Sequence, residues 1–108
     1  MTRFAAGPAA FEIESAPSQP QIAWCHGFFV APAARGKGHA HQAKRAQEEI
    51  LRGLAYDYAL CTVMDSNHAQ KRVLEKAGWN YLVDFPSGRQ DALIEIWGHP
   101  INHGGNAK

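Results

Sequence analysis

The stretch Val30-Ala31-Pro32-Ala33-Ala34-Arg35-Gly36-Lys37-Gly38-His39-Ala40 gathers the residue types that hold an anion. Pro32 stops extended chain, Gly36 and Gly38 free the backbone to curl, and a helical pattern begins at His39, so unpaired first-turn N–H groups point back into the curl. A nest of such amides binds phosphate. The helix dipole adds about 0.3–1 kcal/mol for an anion there, and Arg35, Lys37, Lys44 and Arg45 bring mobile positive charge to the same end. An anion with several phosphates fits this pattern, and so does a plain strand-to-helix turn with a solvated basic patch. No Gly-Lys-Ser/Thr closes the loop, and the third glycine of the dinucleotide fingerprint is missing.

Other reactive side chains are less informative. Cys25 and Cys61 sit inside apolar runs and read as buried, reduced thiols rather than acyl carriers. Among the six histidines, His39 and His41 face different ways on a helix, and His99 and His103 fall in the C-terminal tail. No Cys or carboxylate completes a set around them, so no metal site is expected.

These residues need elements to position them. Phe11 and Ile13 alternate with acids over 10–14, which reads as one short strand. The apolar run Ile22 to Ala31, closed by Pro32, predicts a strand buried on both faces. Ala40, Ala43, Ala46, Ile50, Leu51 and Leu54 recur at three- and four-residue steps, giving a helix over 39–54 whose far end Ile50, Leu51 and Leu54 anchor in the core. A second buried strand spans Tyr58 to Met64. Asp65-Ser66-Asn67 then offers caps for a helix running to about Ala77 and ended by Gly78. Residues 79–85 and 92–97 read as a hairpin around Pro86-Ser87-Gly88-Arg89. The order implies an α/β sandwich in which two central parallel strands are joined by the first helix. Residues 1–98 form one domain, and 99–108, with little to bury, a flexible tail.

Composition bounds the function. With 108 residues, the chain holds one core. A net charge of +1 argues against a general nucleic-acid binder, which needs clustered Lys and Arg against several phosphates. The apolar runs fall short of the roughly 18 residues of a membrane span. Reduced thiols and the absence of a leader pattern suggest a cytoplasmic protein.

The loop, and a second segment, resemble the GNAT superfamily of acyl-CoA N-acyltransferases. The family's phosphate loop reads Gln/Arg-x-x-Gly-x-Gly/Ala after a strand ending Val-x-Pro, as do Arg35 to Ala40 after Val30-Ala31-Pro32. Asn67-His68-Ala69-Gln70-Lys71-Arg72-Val73-Leu74-Glu75-Lys76-Ala77-Gly78-Trp79 is similar to the family's Asn-x(5)-Val-Leu-Glu-Lys-x-Gly-Phe segment. The resemblance covers about Ile22 to Trp97. It implies a mixed, mostly antiparallel sheet with a central splayed parallel strand pair and two flanking helices, binding acetyl-CoA. Phe28, Phe29 and Val30 would meet the pantetheine arm; Arg35 and residues Gly36, Lys37, Gly38, His39, Ala40 and His41 would hold the pyrophosphate; Asn67 would touch the cofactor from the second helix.

The implied reaction passes an acetyl group to an amine, on a protein. His26, four residues before Val30, stands where some members place a histidine or glutamate base, and imidazole can take a proton at neutral pH. Two positions depart from the pattern. Thr62 stands where other members carry a glutamate, and Leu74 where many carry an acid tyrosine, although a ribosomal-protein-modifying branch also has leucine there. Relatives place a strand and two helices ahead of the central sheet, whereas 21 residues precede Ile22. That implies an acceptor site left open or completed by another chain, in a homodimer or a hetero-assembly. An inactive structural or interaction protein on the same fold, such as a phage virion component, is the competing class.

Overall fold

The computed structural model describes residues 2–89 and 91–102. It contains β1 (Thr2–Ala6), β2 (Ala9–Ala16), β3 (Gln19–Val30), α1 (His39–Gly53), β4 (Tyr58–Met64), α2 (His68–Lys76), β5 (Asn80–Ser87) and β6 (Ala92–Pro100). One sheet runs in the order β1-β2-β3-β4-β6-β5, and every neighbouring pair is antiparallel except β3 with β4. The mixed sheet with its central parallel pair and two helices is therefore the architecture that the sequence implies. Parallel neighbours need a long crossover, and α1 supplies it.

Strand alternation puts Phe11 and Ile13 of β2, Cys25 of β3, and Cys61 and Val63 of β4 into one core with Leu51 of α1 and Leu74 of α2. That core covers one sheet face. On the other face Glu14 and Thr62 are exposed and His26 half-buried, so β3 is not buried on both sides as its composition suggests. Of its aromatic residues, Phe29 is exposed while Phe28 packs against the core.

Several further expectations are corrected. β1 is an additional strand: the Gly7-Pro8 turn, with Gly7 at φ +61°, folds it onto β2, and Phe4 pairs with Phe11 at 5.9 Å between ring centroids. Phe11 also stacks on Phe28 at 6.0 Å, so one aromatic row ties β1, β2 and β3 together. Residues 2–16 thus pair with the chain's own sheet. Leu54 is exposed beyond the end of α1 and anchors nothing. The packed unit also runs past residue 98. His99 and Pro100 complete β6, Ile101 is buried, and Asn102 Nδ2 donates to the Arg52 carbonyl at 2.9 Å. The rest of the expected tail, 103–108, lies outside the described residues.

Candidate functional site

After β3 a single 3-10 turn at Pro32–Ala34 leads into the glycine loop. Gly36 and Gly38 sit at φ +78° and +82°, a region costly for any residue with a Cβ. Gly38 caps α1 without a side chain, and the first turn of α1 contains no acid. The leading amides of α1 have no side-chain cap, and the dipole favours an anion there. Arg35 folds back, its Nε donating to the Val30 carbonyl at 2.9 Å and its guanidinium lying 5.3 Å from the Phe29 ring centroid. α2 is different: Asn67 Oδ1 accepts from the Gln70 amide at 3.2 Å and caps its helix.

A cleft of about 590 Å³ lies between the loop, the end of β3 and the start of α2. Of the eleven residues expected to meet a cofactor, Lys37 is not part of its wall and the other ten are. Arg72, Gln70 and Val73 also line it, although the sequence pattern does not single them out. Their position one and two turns beyond Asn67 is the signal that could have found them. The donors, glycine backbone and cations here fit a pyrophosphate.

Beyond Trp24, paired with Leu60, β3 and β4 no longer pair. The cause is local. Gly27 takes φ +64°, and the register of β3 on β2 slips between Ala10 and Glu12, so two residues, Gly27 and Phe28, stand against Phe11 alone. This bulge bends β3 away from β4. The positive φ is what calls for glycine at 27; a Cβ there would meet only the end of the Glu12 side chain, at 3.0 Å.

The resulting gap holds a cavity of about 340 Å³, which shares Phe28, Asn67 and Gln70 with the cleft. His26 and Thr62 border it from the open face, Cys25, Cys61, Lys44 and Gln47 from the helix face. His26 Nδ1 lies 3.2 Å from Glu12 Oε1; its buried Nε2 lies 3.0 Å from Glu14 Oε2 but without hydrogen-bond alignment. Burial pushes the Cys25 thiol up to about 12, and the Cys61 thiol rises for the same reason, which suits inert thiols. Leu74 is fully buried in the core and outside the walls of both spaces.

Lys44 overturns an expectation. Instead of standing as mobile charge at the loop, it is 2% exposed, with Nζ 4.0 Å from a Trp79 ring centroid and 5.3 Å from that of Phe28. Burial lowers its pKa. Ala43, Lys44, Gln47 and Leu51 form the buried stripe of α1, so two polar residues occupy slots that helical periodicity reserves for the core.

Residues 5–79 match the model of the acetyltransferase (GNAT) family. The chain belongs to that family. Solved structures agree on the GNAT fold. The ribosomal-protein-S18-alanine N-acetyltransferase from Escherichia coli superposes with a TM-score of 0.77 at 17% identity, over 94% of this chain and 66% of its own. A Salmonella typhimurium protein with its cofactor acetyl-CoA gives 0.80 at 12% identity, over 94% and 62%. A Bacillus subtilis acetyltransferase in complex with CoA gives 0.73 at 13%, over 86% and 68%. The chain thus spans about two thirds of the length of these GNAT structures. No curated protein matches it by sequence. Among the described residues no helix is long and apolar enough to cross a membrane, and no three His, Cys, Asp or Glu side chains gather as a metal site would require.

Proposed function

We propose that the chain is an N-acetyltransferase that uses acetyl-CoA as donor and an amine of a protein as acceptor. The observation that carries this reading is the junction of the uncapped α1 terminus and its cleft with a strand gap that opens onto His26. Acetyl-CoA, when bound, supplies an acyl group activated as a thioester. Everything else falls to the chain. The loop from Gly36 to His41 holds the pyrophosphate through backbone donors, with Arg35 beside it. Phe28 to Val30 guide the arm toward the gap, and Asn67 borders it from α2.

Transfer forms a nitrogen–carbon bond and breaks a carbon–sulfur bond, so a proton must leave the amine and one must reach the thiolate. His26 is placed to take the first. Its Nδ1 lies beside Glu12 and its Nε2 beside Glu14, both on β2, so the imidazole takes the proton by turning from these carboxylates toward the gap. The β4-facing amides of β3 beyond Trp24 have no strand partner there and can donate to the carbonyl oxygen as negative charge develops. A lysine amine costs roughly 4–5 kcal/mol to deprotonate at pH 7, an α-amine only about 1–1.5 kcal/mol, and a lone imidazole suits the α-amine better. Acetyl-CoA use and two free thiols suit a cytoplasmic setting.

The test is release of CoA thiol with peptide amines as acceptors. His26→Ala should lower turnover by about 10²–10⁴-fold and leave acetyl-CoA affinity unchanged; wild-type turnover in the variant removes His26 from the mechanism. The second reading, a non-catalytic binding or structural protein, draws on Thr62 and on the two carboxylates flanking His26. It predicts CoA binding without turnover on any amine, or no binding.

A further inference from the structure

The buried amine of Lys44 has no carboxylate in contact among the described residues. Arg3, Arg52 and Lys71 each pair with a carboxylate, yet among the described residues no carboxylate lies within 4.0 Å of Lys44 Nζ. Glu48, one turn along α1, is already engaged by Arg52 at 3.1 Å and His99 at 3.3 Å. The neighbouring thiols of Cys25 and Cys61 are held neutral by burial and supply no negative charge. Beside Lys44, Gln47 is 1% exposed, and neither its Oε1 nor its Nε2 has a partner. An unpaired buried amide is costly, and a buried amine must shed its proton or find an anion, since aromatic faces offset its charge only in part. Both residues line the cavity between β3 and β4, on the side away from His26.

We propose that this cavity accepts an acyl group ending in a carboxylate, as in succinyl- or malonyl-type CoA thioesters, paired with Lys44 Nζ and the Gln47 amide. The inference rests on the CoA-thioester transfer proposed above and replaces its acetyl group with a longer, carboxylate-ended acyl group. A thioester reaching the gap from the loop cleft would carry its acyl chain past Phe28 toward the helix face. The amine would arrive at His26 on the opposite face. A carboxylate at the far end of the chain brings the missing charge to Lys44 and accepts from Gln47 Nε2.

The test is calorimetric titration of the full chain with CoA and with thioether analogues of butyryl-CoA and succinyl-CoA, which differ in a terminal methyl against a terminal carboxylate. The expected result is a succinyl preference of about tenfold or more in the wild type. It should vanish in Lys44→Met and shrink in Gln47→Leu, with melting curves checking that both variants fold. Equal affinities in the wild type, or a preference that survives in whichever variants fold, overturn the proposal. Free succinate binding to the CoA-loaded chain through Lys44 also overturns it, by assigning the carboxylate to another ligand. If CoA itself fails to bind, the acetyltransferase reading falls too; if CoA binds and no preference exists, only this inference falls.

Discussion

The N-termini of α1 and α2 border the same cleft and are finished in opposite ways. α2 closes its own end, with Asn67 Oδ1 accepting from the Gln70 amide. α1 begins at a left-handed Gly38 with no side-chain cap. A cap contributes about 1 kcal/mol to a helix. The chain forgoes it at the one terminus flanked by Gly36, Arg35 and the end of β3. In the proposed function the uncapped terminus holds the cofactor, whereas the capped one only anchors its helix.

Making α1 resemble α2 should have the largest effect on binding. Gly38→Asp places a carboxylate where an anion would sit and a Cβ at φ +82°, so acetyl-CoA affinity should fall by about a hundredfold, measured by titration. An unchanged affinity would mean that the open terminus binds nothing. Arg35→Glu reverses charge at the rim alone and should cost about tenfold, more at low salt than at high. The other terminus should answer in stability. Asn67→Ala removes the cap and should lower unfolding free energy by about 1 kcal/mol in denaturant titrations. Asn67→Asp keeps the cap, so a loss of acetyl-CoA affinity without a loss of stability would show that its amide also serves the cleft.

The same contrast explains what was legible in the sequence. The loop could be read because each residue in it acts through its own backbone freedom or charge: Pro32, Gly36, Gly38 and the start of a helical period. Asn67 was visible because a capping residue stands immediately before its helix. The strand gap was not visible. Gly27 looks like an ordinary interruption of an apolar run, and only the register of β3 on β2 reveals a bulge. Lys44 and Gln47 fall in core slots of α1, but a cation at such a slot reads as surface until Trp79, 35 residues away along the chain, is found beneath it. β1 was missed because Phe4 is its lone large apolar residue and its partner Phe11 lies across a turn. Features set by one residue or one period can be read locally, whereas those set by contact between distant elements cannot.

The most direct measurement is calorimetric titration of the purified chain with acetyl-CoA, with desulfo-CoA and ADP as controls and Gly38→Asp in parallel. Micromolar binding by the wild type, about a hundredfold weaker in the variant, is the predicted result. No binding up to millimolar acetyl-CoA, or equal binding by both proteins, would contradict the assignment of the α1 terminus as the cofactor site.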